Sequence, residues 1–312
     1  TSERPRHSPR GPRRSTRSQS STLTVTLRMP LLAIPNVSEG RDQKLIESLK
    51  AGLERSGARV LDVHSDGFHN RSVFTIVGIE PALVESLATL ACMASTAIDL
   101  RTQHGIHPRV GALDVCPIVP HREPMQRAVK VAVDVGRAIG TRCDLPVYLY
   151  GEAATEGRAR GLPALRRGGL AGLIDRNEKG FRPDFGPDAI AERSGVVCVG
   201  ARDVLIAFNV WVRGDLNEVR QIASLLRDKE GVRALGLPLT EDLAQISMNL
   251  TDPRSVGVDA VFEEIERRAL GTTVELVATE LVGLVPAEFL PRENARAARM
   301  LKAPGRSLES ML

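Results

Sequence analysis

The sequence predicts an α/β protein of two layered units, each with a sheet covered mainly on one face by helices. Three observations lead there. Short β-branched runs alternate with longer stretches of helical periodicity. Of the 312 residues, 42% are hydrophobic, enough for one large or two modest cores. Only 3% are aromatic, so those cores are aliphatic. Helices interposed between strands belong to sheets layered with helices.

The elements follow in order. Residues 31–35 read as a strand, and from 42 to 56 Leu45, Ile46, Leu49 and Leu53 form a helical stripe closed by Gly57. Strands are expected at 59–64 and 72–78, then a long helix at 80–100 with Ala, Leu and Met on one face. A strand at 113–117, a helix at 122–139 and a strand at 147–150 come next. Residues 157–186 form a polar excursion rich in Gly and Arg, after which strands return at 196–199 and 205–212. The last third repeats the theme: helix 216–227, strand 244–249, helix 255–271, strand 274–279. Residues 293–312 read as a helix-prone but polar tail.

The net charge of +4 is unevenly spread: residues 1–28 hold seven arginines against one glutamate, so the remainder is slightly acidic. Such a Ser-, Pro- and Arg-rich arm buries too little apolar surface to offset the entropy of ordering it, and is expected to be disordered. A basic arm can bind nucleic acid or act as a transit peptide. Met29 immediately precedes the first strand, however, and the arm reads as a dispensable extension with no nucleic-acid partner. The longest apolar runs stop short of a membrane span and the N-terminus has no apolar signal core, so a cytoplasmic protein without a membrane partner is expected. Cys92, Cys116, Cys143 and Cys198 are widely spaced with no C-x-x-C pair, and read as four reduced core residues.

The chemistry concentrates in His104-Gly-Ile-His107-Pro108-Arg109-Val-Gly111-Ala-Leu-Asp114-Val-Cys-Pro117. An imidazole gives and takes a proton near neutral pH, and Pro108 keeps His107 out of the α region, so its side chain is aimed by extended backbone. Set against this is the plain reading that His107 caps a turn and Asp114 starts a strand. Arg71 and Arg109 are forks suited to bidentate pairing with carboxylates. Asp62, Asp114 and Glu152 can orient His107 or accept hydrogen bonds from a ligand, or serve only as strand-end charges and turn caps. His64, His69, His104 and His107 give H-x4-H and H-x2-H spacings, but zinc needs three or four converging ligands and no H-E-x-x-H is present, so no metal is expected. P-loop, nucleophile-elbow and dinucleotide fingerprints are also missing from the sequence.

Five further segments accompany this one: Ala33-Ile-Pro35-Asn36-Val-Ser38-Glu39-Gly40-Arg41, Asp62-Val-His64-Ser-Asp66-Gly67-Phe-His69-Asn70-Arg71, Val147-Tyr-Leu-Tyr150-Gly151-Glu152, Arg182-Pro-Asp184-Phe185-Gly186-Pro187 and Gly200-Ala-Arg202-Asp-Val-Leu-Ile-Ala-Phe208-Asn209. In this order, from about residue 31 to 290, the six resemble the formiminotransferase domain, found alone in some bacteria and fused to a cyclodeaminase in animals. One gapped motif would carry little; six in order carry much more.

The resemblance implies two α/β subdomains, each a mixed sheet with helices on one face, facing each other across a folate-holding groove. Their spans would be 29–203 and 204–292. It implies transfer of the formimino group from N-formimino-L-glutamate to N5 of tetrahydrofolate, the co-substrate, in histidine degradation, by a homodimer acting on small molecules. His107 would be the general acid/base, with Arg109 and Asp114 beside it. Asp62, Asn70, Arg71, Glu152 and the stretch holding Gly186, Pro187 and Gly195 would bind folate or donor, glycine allowing close approach to the flat pterin. Two departures bear on the donor: Ile106 stands where animal enzymes often have Glu, and His64 stands at a family acid position. Two alternatives stay open: a folate-binding paralogue without turnover, or use of another donor such as N-formylglutamate.

Overall fold

A computed structural model describes residues 1–2, 30–158 and 161–312, and nearly all of the basic arm expected at 1–28 lies outside them. The first unit begins with β1 (Leu31–Ala33), β2 (Asn36–Val37), α1 (Gln43–Arg55), β3 (Arg59–Asp66) and β4 (Arg71–Gly78). It continues through α2 (Glu80–Ala97), β5 (Leu113–Val119), α3 (Met125–Cys143), β6 (Val147–Gly151), α4 (Leu162–Leu165), α5 (Gly169–Glu178) and β7 (Val197–Ala201). The second comprises β8 (Ile206–Arg213), α6 (Leu216–Leu226), β9 (Val232–Pro238), β10 (Ala244–Leu250), α7 (Val258–Ala269) and β11 (Glu275–Leu281).

Sequence chemistry explains the helix boundaries. Asp42 caps α1, its carboxylate accepting from the backbone N–H of Lys44 and Leu45 at 3.0 and 3.1 Å, which satisfies two of the free donors of the first turn. Gly57 follows at φ 101°, the left-handed exit that glycine makes without strain. Pro sits in the first turn of α2, where its missing N–H costs nothing.

The first sheet is mixed. β1 and β2 act as one interrupted strand between β4 and β5, antiparallel to both; β3 flanks β4, while β7 pairs in parallel with β5 and β6. The second runs in the order β11, β8, β10, β9 and is antiparallel throughout, where a mixed sheet was expected. Each sheet buries one face under helices. Phe74, Ile76, Leu113 and Ile118 pack with Leu49, Leu87, Leu90 and Val135 of the first unit's helices. Phe208, Val210 and Ile246 pack with Val219, Ile222 and Phe262 of the second. Alternation along a strand sends the intervening side chains to the opposite face. Those faces, carrying Val73 and Thr75 on one sheet and Ala207, Asn209, Ser247 and Asn249 on the other, meet across a groove.

Three features depart from the sequence reading. Cys92 and Cys143 are joined as a disulfide between α2 and α3, while Cys116 and Cys198 are free and buried. Four reduced cysteines is therefore wrong: sequence spacing is blind to the packing of α2 on α3 that brings residues 51 apart together, and a bond of this kind persists in oxidising surroundings. The polar segment from 293 on returns to the body: Leu308 is buried among Leu32, Leu61, Val77 and Val119 of the first sheet, and its backbone N–H donates to Val285 at 2.9 Å. Finally, the excursion 157–186 contains α5, and β9 was not anticipated. Among the described residues no helix is long and apolar enough to cross a membrane.

Candidate active site

The loop from His104 to Gly111 is pinned against the turn between β3 and β4. Arg109 donates to the backbone carbonyls of His69 at 2.7 Å and Asn70 at 3.1 Å, and the N–H of Ile106 donates to Phe68 at 3.2 Å. Gly105 is needed for this approach: a Cβ there would lie 2.3 Å from the carbonyl oxygen of His69. The Asn36-Val-Ser38-Glu39-Gly40 segment braces the loop from behind. Ser38 donates to the carbonyl of Gly111 at 2.7 Å, Glu39 accepts from Gln103 at 2.7 Å, and the N–H of Gly40 donates to Asn70 Oδ1 at 2.9 Å. Asn70 holds φ 46° to do so, a backbone state asparagine tolerates better than most.

His107 emerges from this braced loop to line the groove. Its Nδ1 lies 2.8 Å from the carbonyl oxygen of Pro108. A carbonyl only accepts, so Nδ1 carries the hydrogen and Nε2 is the nitrogen that can take a proton. Burial, then the charges of Arg71 and Arg166, hold the imidazole well below its usual value of 6.5. The ring is therefore neutral at pH 7 and ready to act as a base.

Asp114 organises the charge below it. Fully buried, it accepts from the N–H of Val110 at 2.8 Å, from Arg71 at 2.6 Å and from Arg166. Burial pushes its carboxyl up, but Arg166 and Arg71 outweigh that and hold it at about 2. Arg71 also donates to Asn36 Oδ1 at 3.0 Å. The second unit closes the site: Gln245 Oε1 lies 2.8 Å from His69 Nε2, and Glu280 faces His64 at 3.7 Å while accepting from Asn209 at 2.9 Å. Enclosed space in the groove is about 160 Å³, below the roughly 300–1,000 Å³ of pockets that swallow a drug-sized ligand.

Of the residues singled out in the sequence, His107, Arg71, His64 and His69 line the groove, and Asp114 sits beneath. Arg109 and Asn70 hold the loops instead. Asp62 pairs with Arg306 of the returning C-terminal segment, and Glu152 is exposed, its N–H donating to Ala201. Gly186, Pro187 and Gly195 are not among the groove-lining residues. Gly186 packs on Gly140 of α3 and the carbonyl of Leu145, Gly195 on the carbonyl of Val110. Arg166, Arg202, Tyr150 and Gln245 were missed as site residues, although Tyr150 and Arg202 lay inside quoted motifs. Arg166 lay in the polar excursion, where a lone Arg among many carries no signal. No group of three or more His, Cys, Asp or Glu able to hold a metal occurs among the described residues.

Comparison with known proteins gives two adjoining matches. The family model of the formiminotransferase domain, N-terminal subdomain, covers residues 31–202, and that of the formiminotransferase domain covers 205–296. The chain is 38% identical over 271 residues to the formimidoyltransferase-cyclodeaminase of Sus scrofa, a match covering 82% of this chain and 50% of that one. It is 36% identical to the glutamate formimidoyltransferases of Streptococcus pyogenes and Thermoplasma acidophilum, again over 82% of this chain, with 89% and 88% of theirs. Thus the chain spans about half the length of the cyclodeaminase-named relatives and most of the length of the glutamate formimidoyltransferases.

Proposed function

The chain belongs to the formiminotransferase family, and from that premise we propose that it transfers a formimino group from the nitrogen of glutamate to N5 of tetrahydrofolate, with His107 as general acid and base. The observation that carries the reading is His107 itself: its Nδ1 is fixed on the Pro108 carbonyl and its ring faces the groove, so one nitrogen is committed to orientation and the other is free for proton transfer.

The amidine carbon of a protonated formimino group is electrophilic and a folate N5 amine is a neutral nucleophile. As N5 bonds to that carbon, His107 Nε2 takes the N5 proton. When the bond from carbon to the glutamate nitrogen breaks, the same Nε2 returns the proton to the departing nitrogen, so protons and electron pairs balance with no outside reagent. Asn209, Ser247 and Asn249 on the facing sheet offer the amide and hydroxyl groups a pterin ring needs for hydrogen bonding, which supports a folate as partner.

The test is incubation of the full chain with N-formiminoglutamate and tetrahydrofolate, following loss of the donor. Consumption that requires both compounds supports the reading. Folate binding without consumption of N-formiminoglutamate or N-formylglutamate would point to a binding paralogue, and consumption of N-formylglutamate alone to a different donor.

A further inference from the structure

We propose that Arg166 and Arg202 form a carboxylate-binding subsite on the groove floor that anchors the donor amino acid beside His107. The inference rests on the transfer reaction proposed above and identifies which cations receive the donor's negative end.

Three guanidinium groups, Arg71, Arg166 and Arg202, line the groove, yet among the described residues the carboxylate bonded among them is Asp114 alone, paired with Arg71 and Arg166. A buried cation without a counter-charge is costly and is normally paired or ligated. Arg71 has little left to offer, since its Nε donates to Asn36 and its Nη1 to Asp114. Arg109, the other fork expected from the sequence, spends both terminal nitrogens on backbone carbonyls. Arg166 differs: one terminal nitrogen serves Asp114, while its Nε is buried with no hydrogen-bond partner. That Nε–H is a single charged donor left for a carboxylate, since Nη2 on the same edge already serves Asp114. Arg202 lies in the same floor beside Tyr150 and donates to the backbone carbonyl of Asp203 at 2.8 Å; among the described residues no carboxylate is hydrogen-bonded to it, and the nearby Asp203, whose charge favours its protonated form, is exposed.

Two sources of carboxylate come with the reaction, the donor and the glutamate tail of folate. The floor position favours the donor. Arg166 is near enough to His107 to depress its proton affinity, and in a folate the glutamate tail is separated from N5 by an aromatic spacer. In the donor, carboxylate and departing nitrogen share one carbon.

The test uses the full chain, Arg202→Gln, Arg202→Lys and Arg166→Lys, the last keeping a positive charge next to Asp114. Each folded variant is assayed for the Michaelis constant of N-formiminoglutamate and of tetrahydrofolate, and titrated calorimetrically with L-glutamate and with its dimethyl ester. Expected is a rise of about tenfold or more in the donor constant for Arg202→Gln, with the folate constant changed less than about threefold. Glutamate binding should weaken in parallel, and the preference of the unaltered protein for glutamate over its ester should disappear. Arg202→Lys should recover part of the loss, and serves as the variant if Arg202→Gln does not fold. Unchanged glutamate binding in the folded Arg202 and Arg166 variants, no glutamate binding by the unaltered protein, or a rise confined to the folate constant would each overturn the subsite. Loss of glutamate binding in the variants supports it even if the unaltered protein does not turn over N-formiminoglutamate, an outcome that would defeat only the reaction.

Discussion

His69 Nε2 and Gln245 Oε1 meet at 2.8 Å across the groove. Through this contact the second unit touches the wall that carries His107, whose ring centre lies 5.5 Å from that of His69. Both partners are buried, His69 at 7% exposure and Gln245 at 0%, so water cannot replace either.

The first prediction follows from that contact. Replacing His69 by Leu strips the buried Gln245 amide oxygen of its His69 partner, and Gln245 Nε2 already has none among the described residues. Leaving such a group unsatisfied costs about 1–3 kcal/mol. Urea unfolding of His69→Leu should show a loss of that size together with reduced turnover, because the sheet spacing beside His107 is no longer fixed. Unchanged stability and rate would show that the contact positions nothing.

Asp114 gives a larger effect. With Asp114→Asn, Arg71 and Arg166 lose the carboxylate between them while staying buried, a change worth about 3–5 kcal/mol. In the unaltered protein the same residue sets a pH dependence. Its carboxyl titrates at about 2 in the fold instead of near 3.8, so its stabilisation, about 2 kcal/mol, is complete above the ordinary value and is lost as pH falls from 4 toward 2. His107 acts earlier and in the same direction: held below 6.5 in the fold, it lets the unfolded chain bind a proton first, so stability also declines as pH drops below 6.5. Chemical denaturation at a series of pH values reads both; below pH 4 Asp114→Asn should show a shallower slope than the unaltered protein, the remainder coming from other depressed carboxyls such as Asp99.

How much of this was legible in sequence depends on what each feature needs. Periodicity revealed α1, because Ile46, Leu49 and Leu53 recur on one face, and Asp42 and Gly57 mark its ends. It missed β9, where Gly236 and Pro238 dilute the strand pattern; Gly236 is there because a Cβ would lie 2.9 Å from Cα of Arg220 on α6. α5 starts from Gly168 and Gly169, both at positive φ, and two glycines in a row read as loop. His107 and Arg71 stood out by motif and do line the groove. Arg166 could not: its role comes from a fold-back across 52 residues to Asp114, a distance over which local sequence says nothing. The disulfide escaped for the same reason.

Gly195 separates two explanations for one residue. The sequence suggested that it gives room to a flat ligand, whereas in the fold it holds φ 67° and a Cβ would lie 2.1 Å from the carbonyl oxygen of Val110. Gly195→Ala should therefore lower the unfolding free energy by more than about 1 kcal/mol, the usual scale of strain at a left-handed position plus the displaced backbone. The Michaelis constant for folate should stay within about threefold. A large rise in that constant at unchanged stability would restore the ligand-contact role.

His107→Ala measures the central claim most directly. With the fold confirmed by unchanged denaturation, kcat should fall by about 10²–10⁴-fold, the ordinary worth of general acid and base catalysis, while folate affinity stays within a few-fold. The unaltered protein should lose kcat/KM on the acid side through a group titrating below 6.5, the direction in which burial and Arg71 move His107, and the variant should lack that limb. A folded His107→Ala protein with near-normal kcat, or one that keeps the same acid limb, would contradict the account.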